Sequence, residues 1–247
     1  MPFQAQCIAG YREYVTEALP MFPLSTVLFP GSQLPLFVFE DRYRALVRHL
    51  LDKPKPADRL FGVVAIREGY EVGDRGAHSV QVVGTAGELT RVEAHDDGTF
   101  DIEVVGRRRF RLHALDSSGP YLRGEIAWLA EAGSAGPTET ASDAVAATAL
   151  QMFERYFAAI CELRGQPMSP DPSTRSLEAT RDTVRLSYEL AAAALLTLRD
   201  RQELLEAADA DQRLRILIWL LRDEMRAMRA VPSLPATEVS RTGWSPN

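Results

Sequence analysis

Lysine is almost missing from this chain. Of its 28 basic residues only Lys53 and Lys55 are lysines, and both fall in the run KPKP, which reads as an exposed turn. A phosphate loop needs Gly-Lys-Ser/Thr at a helix start, a Schiff base needs a desolvated lysine, and a Ser-Lys dyad needs one beside its nucleophile. No residue after Lys55 can fill any of these roles. Cysteine is equally scarce: Cys7 and Cys161 lie far apart and no C-x-x-C occurs, so neither a disulfide framework nor a zinc knuckle is indicated, and reduced cytoplasmic thiols fit. Long apolar runs are missing too. The longest, Leu190 to Leu198 and Ile216 to Leu221, fall short of the roughly 20 residues of a membrane helix. Met1 to Glu17 has no continuous apolar core, and its first basic residue, Arg12, comes too late for a secretion signal. The expectation is a cytoplasmic protein with no membrane partner.

An excess of positive charge is also lacking. The chain carries 28 basic and 34 acidic residues, net −6, and a cut near residue 132 leaves each half at −3. Neither half hides a basic domain, which argues against a nucleic-acid partner. The four histidines, His49, His78, His95 and His113, form no H-E-x-x-H pair or other ligand spacing, so no metal site is expected. There is no G-x-S-x-G elbow, and Cys161 reads as a small core residue of an amphipathic helix. Gly84 and Gly87 lack the lysine of a phosphate loop and read as a bulge or turn within a strand. No catalytic residue, metal or cofactor is assigned.

What is present suits folding: 247 residues, 46% hydrophobic and 25% charged, allow one large domain or two small ones. From Ala18 to Phe39, Pro20, Pro23, Pro30 and Pro35 exclude a regular helix, and Pro30-Gly31 predicts a turn between strands Val27 to Phe29 and Leu34 to Phe39. Tyr43, Leu46, Val47, Leu50 and Leu51 recur at helical spacing before Lys53-Pro54 stops them. Strands are predicted at Leu60 to Ile66, Gln81 to Val92, Thr99 to Val105, Phe110 to Leu115 and Tyr121 to Leu129, separated by glycines. The first half is therefore a small barrel or sandwich, residues 1–132.

A stretch poor in large apolar residues, 133–142, reads as a linker. Helical stripes follow: Val145 to Leu163, Leu177 to Ala194, Asp200 to Ala207, and Leu214 to Met228, with N-cap patterns at Asp200 and Asp209. Residues 143–231 are a helical bundle by this reading, and 232–247 a disordered tail. The one basic cluster, RRRFR from Arg107 to Arg111, can grip phosphate or acidic side chains; the structural alternative is a hairpin edge whose arginines pair with Asp101 and Glu103.

Five segments resemble one family. PMFPLSTVLFPGSQLPLFVFEDRYR, Pro20 to Arg44, looks like the opening of the N-terminal, substrate-binding domain of Lon proteases. GTAGELTR, Gly84 to Arg91, and the stretch Gly98 to Leu112 ending VGRRRFR are similar to the same family, as are DRQELLE, Asp200 to Glu206, and RLRIL, Arg213 to Leu217. The resemblance covers roughly residues 18–229 and implies an α+β chain, a PUA-like β-barrel followed by an all-helical bundle. In full Lon proteases this region precedes an ATPase module and a Ser-Lys peptidase domain, and the missing lysines mean that neither activity carries over. The resemblance therefore implies a stand-alone, non-catalytic module that binds unfolded or flexible protein segments, with a separate protease or chaperone as partner. The alternative is RNA or nucleotide recognition by the PUA-like barrel. Glu40, Arg42 and Tyr43 match family positions and are assigned structural work. Peptide-contact candidates are Phe29, Phe37, Arg107, Arg108 and Arg109.

Overall fold

The computed structural model describes residues 17–69, 77–131, 139–165 and 182–230. The predicted tail and Leu177 lie outside these residues, as does most of the predicted linker. Among these residues seven strands come first: β1 (Glu17–Leu24), β2 (Gln33–Val38), β3 (Leu60–Gly69), β4 (Ala77–Val80), β5 (Val83–Ala94), β6 (Phe100–Asp116) and β7 (Arg123–Trp128), with helix α1 (Asp41–Leu51) between β2 and β3. Among the described residues four more helices follow: α2 (Glu139–Leu163), α3 (Thr183–Ala193), α4 (Leu198–Glu206) and α5 (Ala210–Ala230). The chain is α+β, a barrel followed by a bundle.

The order β1-β7-β6-β5-β3 closes on itself because β1 pairs antiparallel with β7 through Glu17 to Pro20 and parallel with β3 through Met21 to Leu24. Each half of β1 has one strand neighbour, and that is why Pro20 and Pro23 sit in a strand: a residue paired on one side only can do without its N–H. The strand expected at Val27 to Phe29 is instead a buried loop, closed by Ser32, whose hydroxyl donates to the Phe29 carbonyl at 2.7 Å. The two strands expected on either side of Gly106 are one, β6. Its first half pairs with β2 and its second with β7 along the same edge, while β5 lines the other. Gly106 marks no turn; a Cβ there would collide with the Phe29 carbonyl and Leu28, so glycine lets the loop cross the strand.

Met21, Phe110 and Ile126 fill the barrel, completely buried. A second core lies under α1, where Tyr43 stacks on Phe22 at 3.9 Å and Leu46, Val47 and Leu50 point inward. The third core is the bundle's own, and it takes in Val27, Phe29, Ala65 and Val83 from the barrel. Burying Val27, Phe29 and Val83 stabilises by about 1.5–3 kcal/mol each, so that third core ties the barrel to the bundle. Helix α2 begins at Glu139, inside the stretch read as linker, since alanine-rich sequence serves a helix as readily as a spacer. Helix α4 starts three residues earlier than Asp200 suggests: Thr197 is the cap, accepting from the Asp200 N–H, and Asp200 is the reciprocal partner. Asp209 does cap α5, accepting from the Gln212 N–H at 2.8 Å.

Candidate functional site

Strands β2, β6 and β5 present an outer face whose composition follows from register. Pro35, Glu103 and Arg91 stand in one cross-strand row and Phe37, Asp101 and Glu93 in the next. Strand alternation turns Leu34, Leu36 and Val38 toward the core and leaves Gln33, Pro35 and Phe37 exposed. The Phe37 ring is 49% exposed, 6.1 Å from Phe39 and 6.3 Å from the His95 ring. Pro35, Phe37, Arg91, Glu93, Asp101 and Glu103 line a shallow groove of about 320 Å³.

The charges of the groove pair mostly with one another. Arg91 donates to Glu103 at 3.2 Å and lies 3.6 Å from Glu93, and His95 Nε2 meets Asp101 at 2.8 Å. Three carboxylates face one guanidinium and one imidazole, so the face is acidic. His95 begins the β5–β6 hairpin, whose turn needs Gly98 at φ +79° and is fastened to α1 by Arg44 Nε donating to the Gly98 carbonyl at 2.7 Å. Hydrogen bonds from Thr99 hold the Asp97 carboxyl in that turn below its usual range. Among the described residues no three His, Cys, Asp or Glu side chains converge as a metal-holding set.

The five sequence candidates do not form one surface. Only Phe37 lies on the groove. Arg107 donates to Glu88 at 2.7 Å, and Arg108 lies 5.1 Å over the Trp128 ring. Asp101 and Glu103, expected to pair with these arginines, belong to the same strand and bind His95 and Arg91 instead. Phe29 and Arg109 are buried in the junction between barrel and bundle and are unavailable to a peptide there. Consecutive strand residues point to opposite faces, and a bulge opposite Ala86 and Gly87 adds a further turn, so three adjacent arginines reach three environments.

That junction is a polar network the sequence did not announce. Arg109 donates to Glu131 Oε1 at 2.7 Å and to the Leu205 and Ala207 carbonyls at 2.7 and 2.6 Å. Arg213 donates to the Leu204 carbonyl, to Ser187 Oγ at 2.7 Å and to the Tyr188 hydroxyl at 2.9 Å, with Glu131 Oε2 at 3.4 Å. The Tyr188 hydroxyl in turn donates to Glu131. Both guanidinium groups thereby occupy the carbonyl end of α4, where the helix dipole is negative. Burial lowers the pKa of Arg213 and raises that of the Tyr188 phenol. The available signal was spacing: Arg213 recurs with Ala210, Leu217 and Leu220 on the apolar stripe of α5.

Comparison with known proteins matches this architecture. Residues 18–223 match the ATP-dependent protease La (LON) substrate-binding domain. Lon protease 2 of Myxococcus xanthus is 26% identical over 94% of this chain, and Lon protease of Escherichia coli K12 is 27% identical over 84%. The chain spans about a quarter of these relatives, 27% and 25% of their lengths. The crystal structure of a Lon N-terminal domain protein from Xanthomonas campestris is similar in fold, with a TM-score of 0.57, 24% identity and coverage of 82% of this chain and 98% of that one. The N-terminal domain of Mycobacterium avium complex Lon protease gives a TM-score of 0.59, 20% identity and coverage of 84% and 99%. The match lies in the substrate-binding domain and not in a peptidase domain, and the chain accordingly belongs to the LON substrate-binding domain family.

Proposed function

We propose that this chain is a non-catalytic recognition module for unfolded or flexible protein segments, and that the β2–β6–β5 face is where they bind. The observation that carries the reading is Phe37, a half-exposed aromatic ring beside Pro35 over a groove floor of paired charges, in a member of a substrate-binding family. Exposed rings of this kind are the anchors that dominate peptide contacts. Arg107 and Arg108 are flanking contacts at the surface; Phe29 and Arg109 are left out by burial. A captured segment is handed to a separate protease or chaperone in the cytoplasm. RNA or nucleotide binding has no support at this face, since its three carboxylates repel phosphate.

Fluorescence anisotropy with labelled lysozyme, kept unfolded by reduction and amidomethylation, tests the reading. Binding is expected at tens of micromolar or tighter, weakened about tenfold by Phe37→Ser with the denaturation midpoint unchanged. No binding in that range, or equal binding by the variant, would overturn it.

A further inference from the structure

Resting on that reading, we propose that the bound segment adds to β2 as a new strand, and that it alternates basic and apolar residues. Strand β2 has β6 on one side and, among the described residues, no strand on the other. The Gly106 N–H donates to the Ser32 carbonyl at 2.9 Å, which fixes the phase of the ladder. From there the antiparallel alternation directs the backbone groups of Leu34, Leu36 and Val38 to β6 and those of Gln33, Pro35 and Phe37 away from it. The free edge therefore offers two N–H donors, at Gln33 and Phe37, and three carbonyl acceptors. Pro35 stands where β6 requires no donor from it, and it interrupts the edge without closing it.

Charge and spacing specify the occupant. A strand added beside β2 lies two strand spacings from β6, about 9.6 Å. An extended lysine or arginine opposite Pro35 or Phe37 crosses that distance with its stem on the apolar ring and its head at Asp101 or Glu103. Alternate residues of the same segment turn to the other face, beside the half-buried Leu34 and Leu36, and that side calls for apolar side chains. Main-chain pairing supplies affinity and the acidic outer face supplies selectivity, the division of labour of strand addition.

The test uses the full chain and a fluorescein-labelled peptide, Lys-Val-Lys-Val-Lys-Val-Lys, with two backbone-methylated versions, one carrying N-methyl groups on the lysines and one on the valines. One version should lose at least tenfold in affinity and the other little: the lysine version for an antiparallel ligand, the valine version for a parallel one. Pro35→Ala restores a donor to the edge and should tighten the plain peptide about two- to tenfold. A ligand held only by side chains predicts the opposite, since that variant loses ring surface. Replacing lysine by glutamate in the peptide should abolish binding. If the plain peptide binds but both methylated versions bind equally, or Pro35→Ala fails to tighten it, strand addition is overturned while polypeptide recognition stands. If unfolded lysozyme binds and the peptide does not, or the glutamate peptide binds as well, the alternating basic ligand is overturned. Failure of lysozyme and peptide together removes the underlying reading.

Discussion

At the junction between barrel and bundle, the Arg109 and Arg213 side chains are 2% and 0% exposed, and their donors end on helix carbonyls, hydroxyls and the single carboxylate of Glu131. On the outer face, Arg91, Glu93 and Glu103 make ion pairs of similar length with side chains 65%, 61% and 52% exposed. The residue types are the same and the physics differs. Two desolvated cations are tolerable only where every removed water is replaced, so the junction fixes one arrangement of barrel against bundle. Water screens the outer pairs, which add little to stability and remain free to exchange partners.

The sharpest way to break this contrast is to remove one member from each side. Arg213→Met takes the guanidinium donor from Ser187, the Tyr188 hydroxyl and the Leu204 carbonyl and leaves Glu131 with Arg109 and Tyr188 alone, and a loss of about 3–5 kcal/mol in chemical denaturation is expected. Arg91→Met should change stability by less than about 1 kcal/mol. A loss below 1 kcal/mol for Arg213→Met would show that the junction behaves as surface does.

Alkaline pH probes the same burial more gently. Tyr188 and Tyr156 are both held protonated above the ordinary phenol value of 10, chiefly by burial, and the Tyr156 hydroxyl donates to the Leu195 carbonyl at 3.2 Å. Their stabilising effect is complete below pH 10. Above it the unfolded chain releases protons that the folded chain keeps, so stability falls, by up to about 1.4 kcal/mol per pH unit for each tyrosine. Denaturation midpoints at pH 9, 10 and 11 should show that decline, and Tyr188→Phe should remove about half of it. An unchanged slope in the variant would mean that the phenol ionises in place.

Much of the fold is legible because local pattern and tertiary demand agree. The stripe Ala149, Met152, Phe153, Tyr156 and Ile160 reads as a helix and is buried as one, and the Asp209 to Gln212 signal caps α5 as its spacing indicates. The misreadings arise where local signals conflict with long-range pairing. Pro20 and Pro23 suggest turns, yet β1 holds both because it changes partners between them. Gly106 suggests a break between two strands, yet β6 passes through on the strength of β5 beside it. The candidate site divides in the same way. Phe37 is visible in sequence as an apolar residue of a proline-interrupted strand, whereas the row joining it to Asp101 and Glu93 exists only once three distant segments pair.

The smallest expected effect is also the finest test of what separates the two regions. Arg107 and Arg109 stand two residues apart on β6, each with Nε 2.7 Å from a glutamate oxygen, Glu88 for one and Glu131 for the other. Distance therefore cannot distinguish the pairs; burial can, since the Arg107 side chain is 50% exposed. A double-mutant cycle on Arg107 and Glu88 should give a coupling of about 0.2–1 kcal/mol that shrinks toward zero at 1 M salt, where the screening length is about 3 Å. The cycle on Arg109 and Glu131 should give a larger coupling that salt barely moves, because the junction excludes the ions that would screen it. Equal couplings with equal salt dependence would mean that the geometry of the pair, and not its removal from water, sets what an arginine contributes in this chain.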